Sequence, residues 1–71
     1  MKESEAYNIL VNSGIRPSVQ RLAIMDYLLN HRTHPTVDEI FIALEKKITT
    51  LSRTTVYNTL RLFADHHAAQ M

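Results

Sequence analysis

The chain has 71 residues, 45% of them apolar, with no cysteine and a formal net charge of +1. That length suits one small domain, able to bury only about 60% of its unfolded surface, and the apolar share argues against a disordered tail. Without cysteine there is neither a disulfide framework nor a thiolate metal site, and the longest apolar run, Leu22-Ala23-Ile24-Met25, is far too short to span a membrane. Glu3 and Glu5 interrupt any signal-peptide pattern, so a soluble, cytoplasmic domain is expected.

A first helical segment is predicted over residues 3–13, with Ala6, Ile9 and Leu10 as a short apolar stripe. Gly14 can then take the left-handed position after the helix, letting Ile15 fold back against its last turn. Pro17 and Ser18 open a second segment, with Ser18 as N-cap. Val19, Leu22, Met25 and Leu29 recur at helical spacing, with Ala23, Ile24 and Leu28 beside them; this stripe predicts the most buried helix, fraying out through residues 30–33. The third start is the clearest, because Thr36-Val37-Asp38-Glu39 fits a capping box in which Thr36 caps and Glu39 reaches back. Val37, Ile40, Phe41, Leu44 and Ile48 supply the apolar face of that helix, and Thr49-Thr50-Leu51 breaks it. Ser52 caps a fourth segment from Arg53 to about His66, with Val56, Leu60 and Phe63 facing inward and Leu62 alongside.

No alternating strand pattern, repeat or low-complexity tract interrupts this series. The expected fold class is therefore all-α, a helix-turn-helix bundle of four helices in which the third and fourth are joined by a short polar turn. Periodicity alone leaves two functions equally open: DNA binding, or a non-enzymatic protein-interaction module on the same scaffold. No enzyme is indicated. There is no Gly-rich phosphate loop, no cysteine nucleophile and no catalytic triad or paired-carboxylate arrangement on one face, and Ser18, Thr36 and Ser52 are accounted for as helix caps. A small-molecule substrate is not expected.

Residue identity separates the two functions. Gly14-Ile15-Arg16-Pro17-Ser18-Val19-Gln20-Arg21 resembles the stretch that opens the second helix in ferric uptake regulator family proteins. His34-Pro35-Thr36-Val37-Asp38-Glu39-Ile40 is similar to their third-helix opening, and Ser52-Arg53-Thr54-Thr55-Val56-Tyr57-Asn58-Thr59-Leu60 to their recognition helix. The three pieces stand in family order and at family spacing over nearly the whole chain. The resemblance implies a winged-helix domain that binds operator DNA as a homodimer and represses transcription when metal is bound. It also implies a carboxy-terminal domain for dimerisation and metal binding, which this sequence lacks together with most or all of the wing. Residues 1–71 are thus expected to be the DNA-binding domain of a longer protein. The family's usual glycine after the recognition helix is missing, so the last helix is expected to run on past its customary end.

Of the eight basic residues, Arg16, Arg21, Arg53 and Arg61 fall in two stretches that hold a single acid, Asp26, which predicts a basic face on a near-neutral molecule. Arg53, Tyr57 and Arg61 lie four apart, opposite the Val56-Leu60-Phe63 stripe, with Thr54 and Asn58 beside them. Such a face offers cations for phosphates, an aromatic ring for a thymine methyl and an amide for adenine. It would also serve as an ordinary solvated surface. The resemblance favours DNA: it assigns base contact to the Tyr57 position, and Ser52, Thr54 and Thr55 lie on the same DNA-binding stretch. Asn58 matches the peroxide-responsive branch better than the iron-uptake branch, which usually carries arginine there. In the family a basic residue at the Arg16 position can reach a narrow minor groove; a plain surface arginine is the alternative. Arg21 sits where the helix dipole does not favour a cation, which a phosphate contact or a salt bridge to Asp26 or Glu39 would explain.

Among the histidines, His31 and His34 are three apart in a loop, and His66 and His67 point in different directions on the last helix. The resemblance implies that His34 contributes one ligand to a regulatory iron or manganese site whose other ligands lie in the missing domain, and that the full-length protein holds a structural zinc. No cofactor is expected in this stretch alone.

Overall fold

A hydroxyl side chain sets the start of each helix. The computed structural model describes residues 4–31 and 34–68 and contains α1 (Glu5–Asn12), α2 (Val19–Asn30), α3 (Val37–Leu44) and α4 (Arg53–Asp65). Ser4, Ser18, Thr36 and Ser52 stand immediately before them in extended backbone. Their oxygens accept the N–H of Tyr7, Arg21, Glu39 and Thr55, each at 3.1 Å, satisfying one of the donors that every helix start leaves unpaired. At α3 the box closes, with Glu39 Oε1 accepting the Thr36 N–H at 2.8 Å. The first helix begins behind Ser4; Glu3 lies outside the described residues, as do residues 32 and 33 after α2.

Two helices end in the same way. After α1, Gly14 takes φ 79°; its N–H reaches the Val11 carbonyl at 3.1 Å and that of Ile15 reaches Leu10 at 2.9 Å. This paired pattern satisfies the last carbonyls and folds Ile15 into the core. After α4 the same pattern recurs without glycine. His67 adopts φ 58°, with His67 N–H to Ala64 at 3.1 Å and Ala68 N–H to Phe63 at 2.7 Å. α4 therefore stops at Asp65, close to its predicted end near His66, and His66 and His67 belong to its terminating turn, not to its faces.

α3 is shorter than its apolar pattern predicts. It closes at Leu44, a turn covers residues 45–47, and Ile48 packs against the core from outside the helix. Leu51, expected only as a breaker, is buried and joins the core just before α4. Val19 fails as a stripe member, being 73% exposed at the first position of α2.

The core is built from Ala6 and Leu10 of α1, Ile24 and Met25 of α2, Ile40 and Leu44 of α3, and Val56, Leu60 and Phe63 of α4, with Ile15 and Leu51 between helices. α2 touches each of the other three helices. It is nevertheless not the most buried: α4 places Val56, Thr59, Leu60 and Phe63 inside, against only Ile24 and Met25 for α2. No strand occurs among the described residues, so the fold is the expected all-α bundle, with α3 and α4 joined as a helix-turn-helix.

Candidate nucleic-acid interface

Burying Val56, Thr59, Leu60 and Phe63 turns the other side of α4 outward by geometry. Arg53, Thr54, Tyr57, Asn58 and Arg61 are all exposed. Tyr57 stands out, a large ring left 50% open to solvent. Residues four apart on a helix have Cβ atoms about 5–6 Å apart, so Arg53, Tyr57 and Arg61 form a continuous ridge. Ser52 and Thr55 serve the helix start itself: beyond the cap, their hydroxyls lie 3.0 Å apart. Thr59 Oγ1 donates to the Thr55 carbonyl at 2.7 Å, which lets a polar residue sit inside without an unpaired group. The first turn of α4 holds no acid, so its free N–H groups present positive potential to an approaching anion.

Arg53 is not a free cation. Its Nε donates to Asp38 Oδ1 at 2.6 Å, and its guanidinium lies 4.5 Å from the centre of the Phe41 ring. Both partners belong to α3. Pairing with Asp38 also offsets the cost of a cation at a helix N-terminus. Sequence reading missed Asp38 and Phe41 as members of this surface, because it sees which way each residue faces but not what the neighbouring helix places there.

The other basic pair is also joined. Arg21 Nη1 donates to the Arg16 carbonyl at 2.9 Å, and among the described residues no salt bridge joins Arg21 to Asp26 or Glu39, one of the two explanations its sequence position allowed. Arg16 itself is exposed. Gln20 Nε2 reaches Thr50 Oγ1 at 3.4 Å, which brings the opening of α2, with both arginines, beside the turn that leads into α4.

The histidines are scattered. His34 is exposed on the connection between α2 and α3, at φ 60°. His31 stacks on Tyr27 with ring centres 4.0 Å apart and donates from Nδ1 to that residue's carbonyl at 3.0 Å. His66 Nδ1 donates to the Ser13 carbonyl at 3.1 Å. Among the described residues no group of three or more His, Cys, Asp or Glu side chains is arranged to hold a metal ion. His34 belongs to no such group among the described residues. Nor is any helix among the described residues long and apolar enough to cross a membrane.

Comparison with known proteins agrees with this arrangement. Residues 12–70 match the model of the ferric uptake regulator family. The peroxide operon regulator of Bacillus subtilis (strain 168) is 48% identical over 61 residues, which make up 86% of this chain and 42% of that protein. The peroxide-responsive repressor PerR of Staphylococcus epidermidis is 46% identical over 61 residues, 86% of this chain and 41% of that protein. PerR of Staphylococcus aureus (strain Mu50) has the same identity and coverage. The chain spans about four-tenths of the length of these curated relatives. With the family match covering most of its residues and the helix-turn-helix in place, this chain belongs to the ferric uptake regulator family.

Proposed function

We propose that the chain binds double-stranded DNA by laying α4 in the major groove, as the DNA-reading domain of a metal-dependent transcriptional repressor of the peroxide-responsive kind. The carrying observation is the two-sided α4: its buried stripe locks it to the bundle while Tyr57, Asn58 and Arg61 stay exposed together. Tyr57 and Asn58 are the base-reading pair, the ring for a thymine methyl and the amide for adenine. Arg61 supplies charge for a phosphate, with Thr54 exposed about two turns earlier on the helix; Ser52 and Thr55 hold the helix start that faces the backbone. Arg16 and Arg21, at the opening of α2, extend the contact beyond α4. The peroxide-responsive assignment is supported by the names of the relatives and by asparagine at position 58.

In this reading the remaining length of the relatives corresponds to a dimerisation and metal-binding domain. The full-length protein acts in the cytoplasm as a homodimer, with a regulatory iron or manganese to which His34 gives one ligand, and with a structural zinc. A single helix-turn-helix reads one half-site, so this chain alone binds weakly, near roughly 10⁻⁴–10⁻⁶ M at physiological salt. The test is titration against a DNA duplex over a salt series. Counterion release makes the logarithm of affinity fall with the logarithm of salt, by about 0.9 per phosphate contacted. A salt-independent affinity, or none, defeats the proposal and favours a protein-docking surface.

A further inference from the structure

Arg53 opens α4, and the first residues of a recognition helix are those that approach base edges. On a flexible stem, an arginine there would bind whichever phosphate lay nearest. Here the stem is held. Asp38 grips Nε at 2.6 Å, Phe41 lies against the guanidinium at 4.5 Å, and the side chain remains 59% exposed. Among the described residues no other hydrogen bond engages Arg53, so its two terminal amino groups have no protein partner there. Two amino groups on a fixed plane are the donor fork that matches O6 and N7 of guanine. The Arg53–Asp38 pair carries no net charge, which makes it a poor phosphate clamp.

From this we propose that Asp38 is a positioning residue, and that with Phe41 it converts Arg53 from a general phosphate cation into a reader of a guanine edge. The proposal rests on the DNA-binding reading above and adds a specificity contact to it. Asp38 touches no base. Its carboxylate, taken alone, repels DNA, and the pair is useful only if holding Arg53 matters more than that repulsion. Prior ordering of a long side chain spares binding the cost of immobilising it, about two- to tenfold in affinity for one such residue.

The experiment compares the unmodified chain with Asp38→Asn, Arg53→Gln and the double variant. Each is titrated against a duplex enriched by the unmodified chain from a random-sequence pool, and against a scrambled duplex, over a salt series, with folding followed by circular dichroism. Arg53→Gln should cut the preference for the enriched duplex by about five- to 150-fold, with the salt slope nearly unchanged. Asp38→Asn should cut the preference by about two- to tenfold. It should also hold or raise affinity for the scrambled duplex and steepen the salt slope by about one, because a free cation has been released. The double variant should be no less selective than Arg53→Gln alone. Preference untouched by Asp38→Asn, additive losses in the double variant, or Arg53→Gln weakening both duplexes equally with a slope reduced by about one would each overturn the proposal. The Arg53→Gln arm decides the matter even if Asp38→Asn fails to fold. An unmodified chain with neither preference nor salt dependence brings down the DNA-binding reading itself, a result distinct from all of these.

Discussion

Tyr57 and Arg61 share one ridge of α4 but should fail differently when removed. A base contact carries sequence preference, whereas a phosphate contact carries affinity and salt dependence. Tyr57→Ala and Asn58→Ala are each expected to lose about 1–3 kcal/mol of discrimination between preferred and scrambled duplexes, with the salt slope intact. Arg61→Ala should weaken both duplexes alike and lower the slope by about one; fluorescence anisotropy over a salt series reads both effects. His67 gives a prediction of another kind. A non-glycine residue at φ 58° is held where its Cβ crowds the backbone, so His67→Gly should stabilise the fold by about 1 kcal/mol and raise the thermal midpoint by roughly 4–8 °C. At this scale the outward set Thr54, Tyr57, Asn58 and Arg61 was legible, because Val56, Leu60 and Phe63 determine which side faces in. The restraint on Arg53 was not: Asp38 lies fifteen residues earlier in the chain, and helical periodicity carries no information across helices. Thr59 was passed over as polar, since its burial depends on a hydroxyl bond to its own helix's backbone.

Helix starts and helix ends were unequally readable, for a chemical reason. A start needs a side-chain oxygen, and Ser18, Thr36 and Ser52 announce themselves in front of apolar periodicity. An end is made by the backbone alone, so its one strong sequence signal is glycine. Gly14 was therefore foreseen, and the end of α4 near His66 with it, while the glycine-free turn at His67 and the end of α3 at Leu44 were not. The caps also yield a test. Ser52 both accepts the Thr55 N–H and lies within hydrogen-bonding distance of the Thr55 hydroxyl, so Ser52→Ala should cost about 0.5–2 kcal/mol in a urea melt. Because that cap orders the first turn of α4, DNA affinity should fall along with stability; a variant that loses stability and binds as before would separate the cap from the interface.

The whole molecule has little stability to lose. Its radius of gyration of 11.2 Å is close to the value of about 11 Å that a packed domain of this length takes. At about 0.05–0.15 kcal/mol per residue, such a domain is stable by roughly 4–11 kcal/mol. Phe63 is fully buried, and Phe63→Ala should cost about 3–5 kcal/mol, most of what a domain at the lower end of that range possesses. Circular dichroism should show a sharply lowered midpoint or an unfolded chain. Metal is a whole-molecule matter too. If His34 is one ligand of several, as proposed above, zinc, manganese or iron titrated into this chain should give no tight stoichiometric binding; a one-to-one isotherm abolished by His34→Ala would show that the chain completes a site by itself.

The bond from His66 to the Ser13 carbonyl joins the end of α4 to the end of α1, across 53 positions of sequence. A carbonyl can only accept, so Nδ1 carries the proton, and both the neutral ring in that tautomer and the imidazolium can supply it. The tie therefore holds whichever of those forms is present. With Arg53 bound to α3 at its other end, α4 resembles a beam supported at both ends, not a cantilever. A cantilevered helix frays at its tip and smears the angle at which it enters a groove. A beam delivers every side chain along its length at one angle, and amide exchange in its final turn should be nearly as slow as at its middle. Cutting the far support with His66→Ala should speed exchange from Leu62 onward while Val56 and its neighbours stay protected.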